Sequence, residues 1–498
     1  MTELIVPPAA LQPSQPGVTK FLADSVRKLY IGGRWVEAAS GKTFPVINPT
    51  TEQVIAHVAE ADKADVDAAV QAARSAFEGP WGRMRVVERT ELLRRLGALI
   101  AENADEIAEL ETINNGSPIS IARSFVGSTV GTIDYFAGSA RLIHGETPSN
   151  DPNYLTYTLR EPIGVCAGIV PWNVPFLFAI GKLAPALAAG NTFVLKPAEQ
   201  TPLTAIRLGE LVEEAGFPAG VVNIVTGFGL GAGSSIAEHP DIDKVSFTGS
   251  VDVGKRILAA SAVNLKRVTL ELGGKSPNII FKDADLSVAV PTAVAGFTMS
   301  SGQICVAGTR LFVQREIMDE VTEKLTEFAG SLRIGDPLDS ATDLGPLVSQ
   351  EQLDRVTGYF GVGAADGARV ALGGAAVEGT GYFVEPTVFV DVRNDMRIAR
   401  EEIFGPVVSV IPFTDEDDAV LQGNDTLYGL AASVWTNDLG RAHRVARGIK
   451  AGSIWVNNYF TGDTALPFGG YKESGLGREN GLDWYKSFTE DKSVYVTL

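Results

Sequence analysis

From Gly164 onward the chain repeats one pattern, a short apolar run followed by a stretch with helical spacing. Val165 to Val170 precedes Phe176 to Ala189, Thr192 to Leu195 precedes Pro202 to Glu214, and Val221 to Val225 precedes Ala232 to Glu238. Val245 and Phe247 then lead into Val253 to Ala262, and Val268 to Leu270 closes the series. Runs that are apolar on both faces must be covered on both faces, and a helix between successive strands returns the chain to start the next one in the same direction. The pattern predicts an α/β fold with a parallel sheet between helices, whose ligands bind beyond the carboxyl ends of the strands. Local punctuation agrees: Thr201 is placed to cap a helix that Pro202 opens, and Gly216 with Pro218 closes it.

A second α/β region starts near Asn278 to Phe281 and recurs at Leu311 to Val313, Val407 to Phe413, Ala431 to Trp435 and Ser453 to Val456. Ahead of the first sheet, Ala64 to Phe77 and Val87 to Thr112 set Ala, Leu and Ile at helical spacing against Glu and Arg. A chain of 498 residues, 45% hydrophobic, exceeds one compact core, which suits two α/β units. Period-two alternation marks Leu155, Tyr157 and Leu159, and again Val494, Val496 and Leu498. A strand at a chain end needs a partner, which predicts pairing between subunits.

The formal net charge of -18 repels phosphate backbones and anionic headgroups, so nucleic acid and membrane are not expected as partners and small molecules are. Met1 to Lys20 holds four prolines and no cationic start followed by an apolar core, and reads as a flexible arm rather than a secretory signal. The longest apolar stretch, Phe176 to Leu195, is interrupted by Lys182, Pro185 and Gly190, unlike a membrane helix. Two cysteines, Cys166 and Cys305, build no disulfide framework and suit a reducing, cytoplasmic compartment. None of the four histidines stands at metal-ligand spacing from another His or a Cys, so no metal is expected.

Cys305 lies in the uncharged small-residue stretch Ser301-Gly-Gln-Ile-Cys-Val-Ala-Gly-Thr309. It is either a buried structural thiol or, with glycines letting backbone approach and free amides beside the sulfur, an activated thiolate. Glu271 ends the apolar strand of Val268-Thr-Leu-Glu-Leu-Gly-Gly-Lys-Ser-Pro-Asn278. In a dry site its pKa rises and it can take a proton from water near neutral pH; otherwise it is an exposed strand-end acid. Asn173, between prolines in Gly168-Ile-Val-Pro-Trp-Asn-Val-Pro-Phe176, follows the first strand and is either an oxyanion donor or ordinary turn chemistry. Lys196 and Glu199 follow the second strand and face the same crevice, where a Glu accepts ribose hydroxyls of NAD and repels a 2′-phosphate, unless they form a solvated loop. Gly227, Gly229 and Ala232 fit a loose G-x-G-x-x-A, while Ser250, in Phe247-Thr-Gly-Ser250, opens a competing helix whose N-terminus could hold a phosphate.

Pro171-Trp-Asn173, Lys196-Pro-Ala-Glu199, Phe247-Thr-Gly-Ser250, Leu270-Glu-Leu-Gly-Gly-Lys-Ser276, Gly302-Gln-Ile-Cys305, Glu402-Ile-Phe-Gly-Pro406 and Pro467-Phe-Gly-Gly-Tyr-Lys-Glu-Ser-Gly475 follow one another in an order that resembles the NAD(P)-dependent aldehyde dehydrogenase superfamily, from about residue 28 onward, in its hydrolytic, non-acylating branch. The resemblance implies a Rossmann-type cofactor domain over 21–144 and 163–273, an α/β catalytic domain over 274–473, and a small β oligomerisation arm from 145–162 and 474–498 that builds a dimer or tetramer. It implies Cys305 as nucleophile toward an aldehyde, Asn173 with the Cys305 amide as oxyanion hole, and Glu271 as the base that activates the hydrolytic water. The implied cofactor is NAD, favoured over NADP because of Glu199. Lys196 and Glu199 would hold its adenine ribose, Glu402 its other ribose, Phe404 its nicotinamide end, and Ser250 its pyrophosphate. Ile169, Pro171, Trp172, Gly229, Phe247, Gly249 and Leu272 would complete the groove, with the helix at Ser250 taking precedence over the loose glycine loop.

Ser128, Val174, Gly181, Met299, Ile304, Val306, Gly462 and Phe468 match the aldehyde tunnel of such enzymes. Small residues at 128, 174, 181 and 462 imply a wide apolar passage for a medium or bulky hydrophobic or aromatic aldehyde, rather than a quaternary ammonium that seeks an aromatic cage. With no second Cys beside Cys305, sensitivity to oxidants is expected. The rivals are a CoA-acylating semialdehyde dehydrogenase, against which Glu271 speaks, a catalytically silent NAD-binding protein, against which Cys305, Glu271 and Asn173 speak together, and a thiol hydrolase, which would place a His by the Cys.

Overall fold

The computed structural model describes residues 13–24, 26–148 and 150–498. Its first sheet runs Gly475–Leu476, Arg267–Glu271, Lys244–Thr248, Val165–Ile169, Thr192–Lys196, Val222–Ile224, Leu29–Ile31, Arg34–Val36. The five strands from Arg267–Glu271 to Val222–Ile224 are parallel, with antiparallel neighbours at each edge. Every residue of Val165–Ile169, Thr192–Lys196 and Lys244–Thr248 is buried, as uniformly apolar runs require. Pro175–Ala189 and Val86–Glu102 cover one face with Ile119–Ser139 and Leu203–Ala215, while Lys63–Glu78 and Val251–Ala260 cover the other. The register sets Ile169 beside Lys196 and Phe247, and Thr248 beside Glu271, so four carboxyl ends share one rim.

The second sheet runs Arg369–Leu372, Thr387–Val390, Val407–Phe413, Arg310–Gln314, Pro277–Ile280, Ala431–Trp435, Ser453–Val456, parallel except at its first pair. In the third, Tyr154–Pro162 pairs antiparallel with Thr489–Thr497 from Tyr154↔Thr497 to Pro162↔Thr489. The C-terminal strand therefore finds one partner within its own chain, and as the outer strand of this sheet it keeps its other edge free. Gly475–Leu476, inside the stretch assigned to the arm, instead extends the first sheet beside Glu271.

Other expectations need correction. Residues 1–12 of the expected flexible arm lie outside the described residues, but Pro16–Ala23 is a helix, held because Val18 and Phe21 are buried. Thr201 does not cap Leu203–Ala215; the Leu203 amide donates to Asn114 Oδ1 at 3.1 Å, since a neighbouring helix end reaches it first. Ile119–Ser139 and the antiparallel strands before residue 60 were not anticipated. No helix among the described residues is long and apolar enough to cross a membrane.

Candidate active site

The Arg267–Glu271 strand ends at the rim with Glu271 2% exposed and neither carboxylate oxygen hydrogen-bonded. Burial above all, then the charge of Glu479, holds its carboxyl well above the ordinary 4.5. The exposed-acid alternative is thus ruled out by the fold. Beyond it lies a pair that sequence reading missed: Lys182 Nζ is 2.5 Å from Glu479 Oε1 and 3.1 Å from Ser246 Oγ, and Ser246 donates to the same carboxylate at 2.8 Å. Lys182 and Glu479 are 297 residues apart, and only the closed fold brings them together.

The glycines that follow Glu271 let the second sheet close against the first. A Cβ at position 273 would lie 2.2 Å from Glu402 Oε2, and one at 274 would lie 2.3 Å from the Cys305 carbonyl oxygen. The Gly274 amide donates to Glu402 Oε1 at 3.0 Å. Burial raises Glu402 to about 7.

Cys305 follows the helix Leu286–Thr298 and the turn Met299–Gly302, whose Ser300 and Ser301 hold φ of 47° and 56°. It is partly exposed. Desolvation, then the carboxylates of Glu402 and Glu271, push its thiol up to about 12, while the Val306 and Cys305 amides pull down less strongly. Dry surroundings and two acids thus outweigh the amides at rest, and forming the thiolate needs an activating step. Asn173, buried, donates Nδ2 to the Gln303 carbonyl at 2.8 Å, which sets its amide against the cysteine loop.

Met299, Ile304, Val306 and Phe468 join Cys305 in one apolar cluster, together with Leu430, Ala431 and three rings that were not anticipated, Phe125, Trp455 and Phe460. Val174 is buried nearby in sequence to Asn173 but outside that cluster, and Ser128 and Gly462 are exposed. Added Cβ atoms at Gly181 and Gly462 would meet nothing.

Along the rim, Lys196 is buried, with Nζ 3.5 Å from Glu199 Oε2 and donating to the Pro197 carbonyl at 2.9 Å. Desolvation lowers its pKa, countered by Glu199. Ser250 caps Val251–Ala260 through a 3.4 Å bond from the Val253 amide, leaving an open helix start beside Gly249. Gly229–Gly233 forms a single wide turn before the short helix Ser234–Glu238, not a regular phosphate loop. Ile169, Phe247 and Leu272 are buried at the rim, and Pro171 is partly exposed. Trp172 meets Phe404 edge to face at 5.2 Å. Phe404 stands at φ 64°, held by Gln352 Nε2 donating to its carbonyl at 2.8 Å. Two acids, Glu199 and Glu402, an open helix start at Ser250 and the Trp172–Phe404 ring pair are donors and acceptors of the kind a dinucleotide site uses.

A parallel-sheet rim with these groups, opening on a cysteine and a buried acid, defines a nicotinamide-dependent oxidoreductase. Residues 35–494 match the model of the aldehyde dehydrogenase family. An aldehyde dehydrogenase of Emericella nidulans is 49% identical over 94% of this chain and 95% of its own. The NAD+ complex of an aldehyde dehydrogenase from Bacillus cereus superposes with a TM-score of 0.96 at 48% identity, over 98% of this chain and 99% of that one. An indole-3-acetaldehyde dehydrogenase of P. syringae, solved with NAD+ and IAA, superposes at 0.94 with 42% identity, over 97% and 99%. The chain belongs to the aldehyde dehydrogenase family, and oxidises aldehydes with NAD+ as cofactor.

Proposed function

We propose that this enzyme converts medium or bulky hydrophobic aldehydes, aromatic ones included, to carboxylic acids through a thioester on Cys305. The observation that supports the substrate class is the apolar cluster around Cys305, built from Met299, Ile304, Val306 and four rings, Phe125, Trp455, Phe460 and Phe468. Because such rings also suit a quaternary ammonium, the substrate panel below includes one. The indole-3-acetaldehyde dehydrogenase among its structural neighbours points the same way.

The sulfur first releases its proton to solvent and, as thiolate, adds to the aldehyde carbon. The oxygen that gains charge is met by the Cys305 amide and by an N–H of Asn173, whose amide has a second hydrogen beyond the one on Gln303. NAD, when bound, accepts the hydride that leaves the substrate carbon. Lys196 and Glu199 would hold its adenine ribose, Ser250 and Gly249 its pyrophosphate, Glu402 its second ribose, and Phe404 with Trp172 its nicotinamide end, along a groove walled by Ile169, Pro171, Gly229, Phe247 and Leu272. Glu199 would repel the 2′-phosphate of NADP. Glu271 then takes a proton from water, the water oxygen bonds to the thioester carbon, the C–S bond breaks, and the proton on Glu271 passes to the leaving sulfur, which restores the Cys305 thiol and the Glu271 carboxylate. A base raised by burial suits that step, and its presence favours water over CoA as acceptor.

We place the cofactor domain at 21–144 and 163–273, the catalytic domain at 274–473, and the arm at 145–162 and 474–498. The exposed Tyr154, Leu155, Tyr495 and Leu498 favour a dimer or tetramer, which sedimentation would resolve. Two unpaired cysteines suit a cytoplasmic setting.

The test is NADH formation, read by absorbance, for wild type and Cys305→Ala across short, aromatic, long-chain and quaternary ammonium aldehydes. Turnover fastest with the bulky apolar substrates and reduced about 10⁵-fold or more in the variant is expected. A preference for the ammonium aldehyde would refute the substrate class, undiminished turnover in Cys305→Ala would refute the mechanism, and dependence on CoA would favour the acylating rival.

A further inference from the structure

The groups joined in that reaction come from different layers: Asn173 follows a strand of the first sheet and Cys305 precedes one of the second. The end of the helix Ala104–Asn115, with the turn after it, touches both. Pro175 has no N–H, so the Phe176 amide is the first of its helix to need an acceptor, and Glu111, 1% exposed, accepts it at 3.1 Å. One helical turn on, Asn115, 3% exposed, donates Nδ2 to the Asn173 carbonyl at 3.1 Å. The Asn115 Oδ1 accepts the Ser117 amide at 2.8 Å, and the Ser117 hydroxyl meets that of Ser300 at 3.1 Å. Ser300 is one of the two left-handed residues in the turn before Cys305, a conformation sustained only where neighbours hold it.

We infer that Asn115, supported by Glu111 and Ser117, is a positioning residue that fixes the Asn173 peptide against the cysteine loop, so that the Asn173 side chain reaches the oxygen on which charge develops. This rests on the roles given above to Asn173 and Cys305. A neutral amide, a hydroxyl and an acid, all buried, are costly to place in a core without such a use; burial holds the Glu111 carboxyl up to about 8. None of the three is placed to touch substrate in the proposed chemistry, and all act through backbone or through Ser300.

The experiment measures kcat, KM for aldehyde, NAD affinity and melting temperature for Asn115→Ala, Asn173→Ala and the double variant. Ser117→Ala serves as a milder perturbation, and Glu109→Ala as a control. Glu109 sits on the same helix but binds the Ser14 and Gln15 amides, at 2.6 and 3.1 Å. Asn115→Ala is expected to lower kcat about 10- to 100-fold with NAD affinity kept, Ser117→Ala about 3-fold, and Glu109→Ala to lower melting temperature alone. In the Asn173→Ala background the Asn115 change should cost under about 2-fold, because its route of action is gone. An equal loss in both backgrounds, or no loss in the wild-type background, overturns the inference while leaving the roles of Asn173 and Cys305 standing. Full turnover in Asn173→Ala alone overturns those roles and the inference with them.

Discussion

A carboxyl with neither oxygen hydrogen-bonded, such as Glu271, loses folding free energy whenever it ionises. Its pKa in the fold is raised, so the fold favours the protonated form. Stability is retained at pH below the ordinary 4.5 and declines as pH climbs from there toward the raised value. Glu271→Gln should therefore melt higher than wild type, by about 1–3 kcal/mol in stability, with the difference widening as pH rises in calorimetry across that range. The same variant should give one burst of NADH per site and then stall, its steady state down about 10²- to 10⁴-fold for want of a base. Because Cys305 and Glu271 both hold their protons too firmly, the wild-type rate should rise with pH through neutrality into the alkaline range, read as kcat/KM in buffers of constant ionic strength. At this scale strand ends and small-residue loops singled out Cys305, Glu271 and Asn173 as candidates, each with a structural alternative, and only the ordered motifs of the family resemblance gave them roles. The resting state of the thiol was not legible, because it depends on acids delivered by other segments.

Among elements, the parallel strands were the most legible, since a run buried on both faces carries its signature in every residue. Ile119–Ser139 was not, because Gly127, Gly131 and Gly138 and its threonines blur the helical stripe that its buried Val126, Ile133 and Phe136 form. Helix ends were legible only when the cap is local. Ser250 caps its own helix, but Leu203–Ala215 borrows Asn114 from another. Thr201→Val should leave the melting temperature nearly unchanged or slightly raised, its buried hydroxyl having no partner, whereas Asn114→Ala should cost about 1–2 kcal/mol by denaturant titration.

In the whole molecule, two separately cored sheets meet at the reacting atoms, and a third sheet is built from segments far apart in sequence. Ending the chain after Phe488 would strip Tyr154–Pro162 of its ladder partner and leave an exposed edge bearing Tyr154, Leu155 and Leu159. The expected result, by light scattering, is loss of the native assembly and aggregation at micromolar concentration. Pairings such as Lys182 with Glu479, and the rings Phe125, Trp455 and Phe460 about the cysteine, belong to this scale, which is why no local pattern announced them.

The glycines divide into two kinds. A methyl group at 273 or 274 would strike Glu402 or the Cys305 peptide, while one at 181 or 462 would enter open space. Side chains can therefore be added at 181 and 462 without disturbing the packing that brings Glu402 and the cysteine loop together at 273 and 274.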